Sequence, residues 1–282
     1  MYTLAVENAR GEYLEITHRE GYKITDVQGL TPPHANINTT TMAGGDGSSF
    51  NSSSLDNRNI VITLYIDSDI ERNRQRLYRF FRIKKNCRLY FKNANRNVYI
   101  DGYVETFEAT IFANTQKVQI SVLCNDPYFK NVKTSLYEFS LTTNYFEFPF
   151  SISEEGIEFS TAANISSVDI INNGENEVGV EINLIANGTV LNPKIINVLT
   201  DETLTLNVNM DAGDRIKITT HKGNKRAVLY KDGAETNIMN AIGENPTWFL
   251  IDIGDNVFSY TADIGGESLN VTFTLTEEFT GV

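Results

Sequence analysis

The second half of the chain consists of short runs in which apolar and polar residues alternate. Apolar side chains occupy every second position in residues 178–184, 204–210 and 269–275, and turns rich in Gly, Asp and Asn separate the runs. A strand with this pattern presents one face to a core and the other to water. Many short strands at this spacing predict a β-sandwich.

The first half combines strands with one helix. Asn59–Ile66 alternates as a strand does. Directly after it, Ser68 and Glu71 have the spacing of a capping box, and apolar residues between Ile70 and Phe81 recur at helical spacing. This half therefore predicts a β-rich domain that contains one helix.

The regular pattern of the first half ends at Cys124–Phe129. A chain of 282 residues is long enough for two domains of ordinary size. We therefore predict a mainly β protein with an N-terminal domain over residues 1–132 and a β-sandwich over residues 133–282.

Within the first domain, residues 34–58 are dominated by Asn, Ser, Thr and Gly and follow two prolines, which predicts a long loop. Contact with a neighbouring molecule and a disordered tip are both open for this loop.

Charge divides the chain at the same place. Residues 1–132 carry 16 basic and 14 acidic residues, and residues 133–282 carry 8 basic and 22 acidic residues. The acidic second half is repelled by nucleic acid and by anionic membranes. No apolar run approaches the roughly 20 residues that a bilayer span needs. We therefore expect no membrane insertion and no sequence-specific binding of nucleic acid.

One segment of the first domain is strongly basic. Ten Lys or Arg residues and no acidic residue lie between Arg72 and Arg96, these two included. Arg72, Arg76 and Arg79 on the predicted helix are candidates for a subunit contact, because guanidinium groups pair with carboxylates in bidentate geometry. A solvated or intrachain-paired face and a nucleic-acid contact are the alternatives.

Catalytic motifs are missing from the sequence. Neither Cys87 nor Cys124 has a nucleophile signature around it, the three histidines lie far apart, and phosphate-binding loops are absent. The acidic turn Asp211–Asp214 lacks the ligand series of a calcium loop. We assign no catalytic, cofactor-binding or metal-binding residue and expect a non-enzymatic protein with two free thiols and no cofactor.

Eight short motifs follow one another along the chain. They are Gly29-Leu30, Gly45-Asp46-Gly47, Asn57–Ile62, Asp126-Pro127-Tyr128, Gly213–Ile218, Lys222–Lys225, Trp248-Phe249-Leu250 and Gly254-Asp255-Asn256. Their order resembles that of the distal tail proteins of long-tailed bacteriophages, a family of siphophage tail components. The resemblance covers most of the chain.

The resemblance implies a virion structural protein at the phage tail tip or baseplate, made in the cytoplasm of the bacterial host. It implies a hexameric ring formed by the N-terminal domain, a galectin-like β-sandwich as the second domain, and a lumen through which DNA passes. The implied partners are further copies of the chain, the tail tube protein, a tail-associated hub or fibre protein, and receptor-binding proteins that the ring anchors.

Other classes of function remain open at this point. A carbohydrate-binding β-sandwich adhesin would stack sugars on Tyr230, Trp248 or Tyr260. A glycoside hydrolase would use acid pairs such as Glu154-Glu155 or Glu277-Glu278, held about 5–10 Å apart across a sugar. A tail-like bacteriocin would use an equivalent of the phage part.

Overall fold

The computed structural model describes residues 2–42, 44–144, 160–164, 167–244 and 246–282. The chain forms two compact units: unit 1 is Met1–Lys133 with Glu278–Val282, and unit 2 is Thr134–Glu277. The mainly β fold with one α-helix is confirmed for the described residues. No helix in these ranges is long and apolar enough to cross a membrane.

Unit 1 is built around one antiparallel sheet. Its elements are β1 (Thr3–Asn8), β2 (Tyr13–Glu15), β3 (Tyr22–Gln28), β4 (Ala35–Thr41), β5 (Ser48–Leu55), β6 (Arg58–Ile66), α1 (Ile70–Phe80), β7 (Asn86–Lys92), β8 (Asn97–Ala109), β9 (Gln116–Cys124) and β10 (Phe129–Asn131). The strand order is β2-β1-β7-β8-β9-β6-β3, and β10 pairs with β8. Among the described residues, strands β4 and β5 pair only with each other.

The core of unit 1 follows the alternation seen in the sequence. Every second residue of β6 from Ile60 to Ile66 is buried, and so is every second residue of β9 from Val118 to Cys124. The two strands pair in register, with Ile62 opposite Ile120. Alternation with period two therefore places one face of each strand in the core.

Helix α1 packs Leu77 and Phe80 into this core, but it begins differently from the prediction. Its N-cap is Asp69, which has a left-handed backbone and makes no side-chain capping bond. The predicted capping box of Ser68 and Glu71 is wrong, because the Glu71 carboxylate is engaged by Arg74 and Gln75 instead.

The segment predicted as a long loop is a β-hairpin. Strands β4 and β5 pair along their length, and every residue in them except the partly buried Leu55 is exposed. Side-chain bonds cross the hairpin, from Asn38 to Ser52 (3.0 Å) and from Asn51 to Thr40 (2.7 Å). Because neither face packs on a core, the hairpin lacks the apolar alternation by which a strand is recognised.

Unit 2 is a sandwich of two main sheets. Its strands are β11 (Ser135–Glu138), β12 (Ser140–Asn144), β13 (Ser160–Asn164), β14 (Ser167–Asn172), β15 (Val180–Ala186), β16 (Val190–Leu191), β17 (Lys194–Asn197), β18 (Thr203–Thr205), β19 (Asn209–Met210), β20 (Arg215–Thr219), β21 (Arg226–Lys231), β22 (Ala234–Asn237), β23 (Gly254–Thr261) and β24 (Leu269–Leu275). The sheets have the orders β11-β24-β15-β20-β21-β22 and β14-β23-β17-β18, and β12–β13 and β16–β19 form two small ribbons.

One apolar cluster joins the two main sheets of unit 2. Leu184 of β15 and Phe273 of β24 belong to it together with Ile195 of β17 and Phe258 of β23. The Phe258 and Phe273 rings lie 5.2 Å apart, so aromatic contacts connect the sheets. The predicted sandwich is confirmed, and its galectin-like character stays a prediction.

After unit 2 the chain returns to unit 1. Strand β25 (Glu278–Phe279) pairs with β10, with Phe279 opposite Phe129. Phe279 joins the core of unit 1, and the Val282 N–H donates to the Leu30 carbonyl at 3.0 Å. The sequence-based division into residues 1–132 and 133–282 did not include this return.

Candidate functional site

Arg58 is a buried residue of unit 1 and is only 4% exposed. Its guanidinium donates to four backbone carbonyl oxygens, those of Gly29 (2.5 Å), Thr31 (2.9 Å), Pro127 (2.6 Å) and Thr280 (2.6 Å). It also lies 4.6 Å from the centre of the Phe129 ring. Burial lowers the pKa of this guanidinium from its ordinary value. One side chain thus ties together the segment before hairpin β4–β5, the segment before β10 and the residues after β25.

Close packing around Arg58 explains one glycine of the sequence motifs. Gly29 has a φ of +84°, and a Cβ added there would lie 2.2 Å from the Asn59 carbonyl oxygen. Only glycine meets both conditions without strain, because a left-handed backbone disfavours side chains and no space is left for one. The Gly29-Leu30 motif therefore serves the base of the exposed hairpin.

The three arginines proposed for a subunit contact lie on one helix but differ in their environments. Arg72 is exposed, and the half-buried Arg76 donates to the Asn73 side-chain oxygen at 3.3 Å. Arg79 pairs within the chain with Glu12, where its Nε donates at 3.0 Å. The hydrogen bond from Arg79 is the main cause that lowers the pKa of Glu12 to about 2. Part of the basic segment is therefore paired within unit 1.

Two other arginines of the basic segment also have partners inside the unit. Arg88 donates twice to the Asp101 carboxylate, at 2.7 and 3.0 Å, and stacks over the Tyr99 ring at 4.1 Å. Arg74 is buried and donates to Gln116 of β9 at 2.9 Å. These partners lie outside the basic segment, so the composition of the segment did not reveal them.

The two thiols of unit 1 lie in surroundings that make them unreactive. Cys87 and Cys124 are free and buried, and burial raises the pKa of each to about 12. Both therefore stay protonated at neutral pH, and the thiolate is the reactive form.

We expect less than one thiol per native chain to react with iodoacetamide in an hour at pH 8, and two after unfolding in guanidinium. Rapid labelling of the native chain would contradict this burial.

The aromatic residues considered for sugar stacking take part in packing. Tyr260 meets the buried Phe139 ring edge-on at 5.2 Å, and Trp248 packs on the core of unit 2. The Arg215 guanidinium lies 4.5 Å from the centre of the Tyr230 ring. Each of these rings therefore has a packing contact within unit 2.

The acidic residues considered for catalysis or metal binding fall in three places. Glu154-Glu155 lies outside the described residues, and the Glu277 carboxylate accepts a bond from Asn173 at 3.2 Å. Asp211 and Asp214 both accept from Lys231, at 2.6 and 3.0 Å. Within the described ranges, no group of three or more His, Cys, Asp or Glu residues is arranged to hold a metal ion.

Comparison with protein families gives one match, which lies within unit 1. Residues 9–124 match the family of the phage tail protein RIFT-related domain. The matched range begins directly after β1 and ends with β9, so it includes α1 and the exposed hairpin. This part of the chain is therefore similar to that phage tail domain.

Solved structures extend the likeness to both units. The Dit protein (gp 19.1) of phage SPP1, described as a paradigm of the hub adsorption apparatus in phages that infect Gram-positive bacteria, matches with a TM-score of 0.70 and 14% identity over 99% of both chains. A chain of the phage P2 baseplate in its activated conformation with Ca matches with a TM-score of 0.53 and 11% identity, over 97% of this chain and 98% of that chain. The same baseplate with Sr matches with a TM-score of 0.52 and 10% identity, over 98% of each chain. A comparison with curated protein sequences gives no significant match. The resemblance to distal tail proteins that the motifs suggested is confirmed.

Proposed function

We propose that this protein is a structural, non-enzymatic hub of a phage tail tip, in which six copies form a ring through unit 1. The observation that carries the proposal is the likeness of fold to SPP1 Dit along 99% of both chains. The match of residues 9–124 to a phage tail domain supports it independently, because that match is made from sequence. In this role the ring connects the tail tube to the tail-associated hub or fibre protein, and its lumen passes DNA.

The charges of the two units favour unit 1 as the ring-forming part. Unit 1 has a net charge of +2, whereas unit 2 has a net charge of −14. Close packing of six copies of a near-neutral unit costs less electrostatic repulsion than packing six copies of a strongly acidic one. Anchoring of receptor-binding proteins is a further part of the proposed role, and the acidic unit 2 is the part we assign to it.

The hairpin β4–β5 supports the same assignment. It extends from unit 1 with both strands exposed, and it carries Ile37 (62% exposed) and Phe50 (64% exposed). Burial of these two apolar side chains against a neighbouring molecule would remove apolar area from water, which favours such a contact. We assign this hairpin to contact with a neighbouring molecule of the assembly.

The size of the purified full chain tests the ring. Light scattering after gel filtration is expected to give a mass near six times the 31.7 kDa of one chain. Negative-stain images of the same fraction are expected to show rings with a central hole. A chain that stays monomeric at high micromolar concentration, with no rings in the images, would overturn the proposal.

A further inference from the structure

Unit 2 contains two Asn-Gly dipeptides, Asn173-Gly174 and Asn187-Gly188. Asparagine is a thermolabile residue, because the backbone nitrogen of the following residue can attack the carbon of its side-chain amide. Glycine in the following position favours this attack, since it has no Cβ to obstruct the approach. The attack requires that the glycine N–H and the asparagine amide can meet. The structure places these groups in opposite environments at the two dipeptides.

Asn187-Gly188 lies in the short turn between β15 and β16. Asn187 is exposed, and its backbone N–H donates to the Ser268 carbonyl at 2.8 Å. Among the residues that the structure describes, the Asn187 side chain and the Gly188 N–H have no hydrogen-bond partner. At this turn, therefore, no other group holds either the attacking nitrogen or the amide that it attacks.

Asn173-Gly174 has the opposite environment. Gly174 is buried, and its N–H donates to the Asn172 side-chain oxygen at 2.9 Å. The Asn172 amide is itself fixed, because its Nδ2 donates to the carbonyls of Asn176 (2.9 Å) and Ile251 (3.1 Å). The Asn173 amide donates to Glu277 at 3.2 Å. Both reacting groups are thus held by other partners, and they can meet only after local opening of the structure.

Packing also explains why glycine follows Asn187. A Cβ added at Gly188 would lie 2.9 Å from the Ser268 hydroxyl oxygen and 3.2 Å from the Ser268 Cβ. A larger residue at this position would therefore require Ser268 to move. The close contact that favours glycine also leaves the attacking nitrogen without a side chain of its own residue to shield it.

We propose that Asn187 is a site of spontaneous deamidation in the folded protein, whereas Asn173 is protected. In the first step the Gly188 nitrogen forms a bond to the Asn187 Cγ, and the side-chain nitrogen leaves as ammonia. Water then opens the cyclic imide at either of its carbonyl carbons, which yields aspartate or isoaspartate. Water is the only co-reactant, and no electrons are transferred. This modification does not depend on the ring proposed above.

Deamidation at this turn changes the charge and the length of the backbone. Both products carry a carboxylate, which adds a negative charge to a unit whose net charge is already −14. Isoaspartate also routes the main chain through the former side chain and lengthens it by one carbon atom. The chain is held on either side, because the Ala186 N–H donates to the Asp214 carbonyl at 3.0 Å and the Leu191 N–H to the Ile264 carbonyl at 3.0 Å. We therefore expect the isoaspartate form to unfold at a lower temperature than the unmodified chain.

Peptide mass spectrometry of the full chain tests the selectivity. After incubation at pH 8, cleavage behind Lys and Glu gives a peptide of residues 182–194, which contains Asn187 and not Asn173. We expect Asn187 to be converted about tenfold or more faster than Asn173 in the folded chain, which requires only a modest difference in activation free energy. In guanidinium the two dipeptides should react at similar rates, because the hydrogen bonds that protect Asn173 are lost.

Two variants give matched controls. The wild-type chain should accumulate a more acidic species on anion-exchange chromatography. Asn187→Gln keeps a side-chain amide but places its carbon one bond further from the Gly188 nitrogen, so we expect this species to disappear. Asn173→Gln should leave the rate at which the species forms unchanged, because the amide of Asn173 is already protected.

Two results would overturn the proposed site. The first is an Asn187 amide that stays intact in the folded chain while the unfolded chain is converted. The second is conversion of both dipeptides at equal rates in the folded chain, which would show that the hydrogen bonds around Gly174 give no protection. Conversion at Asn187 in a chain that never assembles would overturn the ring alone.

Discussion

Replacement of Arg58 by methionine is expected to lower the free energy of unfolding of unit 1 by about 3–5 kcal/mol. Four buried carbonyl oxygens lose their donor in this variant, and each unsatisfied group costs about 1–3 kcal/mol before relaxation. Methionine fills part of the space but offers no donor. Urea denaturation of the full chain, followed by an optical probe, measures the change.

Two further variants test whether the effect comes from the hydrogen bonds of the Arg58 guanidinium. Arg58→Lys retains the charge but not the planar fork that reaches four acceptors, so we expect it to lose at least half as much stability as methionine. Arg72→Met removes an exposed arginine of the same unit and should change the free energy of unfolding by less than about 0.5 kcal/mol. Equal midpoints for Arg58→Met and Arg72→Met would show that the four bonds contribute nothing.

Removal of residues 278–282 is expected to have a similar or larger effect on unit 1. The truncation deletes Phe279 from the core, leaves β10 without its partner β25, and removes the Thr280 carbonyl from Arg58. The loss of a buried phenylalanine alone typically costs 3–5 kcal/mol. We expect the truncated chain to unfold at clearly lower urea concentration, or to accumulate as insoluble protein.

Point variants keep this prediction testable when the truncated chain fails to fold. Phe279→Ala should cost about 3 kcal/mol, because it empties the same site in the core. Thr280→Ala should cost less than about 1 kcal/mol, because Arg58 binds the backbone carbonyl, which alanine retains. A truncated chain with the wild-type midpoint would mean that the returning segment is not part of the fold.

Sequence periodicity predicts the strands whose two faces differ. The alternation from Ile60 to Ile66 and from Leu269 to Leu275 predicts β6 and β24, because each has one buried face. The same reasoning misses hairpin β4–β5, whose two faces are both polar, and misses β25, which has only two residues. A strand can therefore be predicted from sequence periodicity when one of its faces packs on a core and the other does not.

The candidate site was harder to predict because its partners are distant in sequence. Arg79 meets Glu12 across 67 positions, and Arg58 meets Thr280 across 222. The sequence nevertheless contains one signal for Arg58. Arg58 lies two residues before Ile60 and four before Ile62, so the alternation places its side chain on the same buried face of β6. An arginine at an inward position predicts a buried cation that needs several acceptors.

The return of residues 278–282 to unit 1 also orders events during synthesis. Strand β25 is translated only after all 144 residues of unit 2, which takes roughly 7–30 s at bacterial elongation rates of 5–20 residues per second. Until then β10 lacks its outer partner and Arg58 lacks one acceptor. A polypeptide that ends before residue 278 therefore carries an incomplete unit 1, so completion of unit 1 depends on translation of the whole of unit 2.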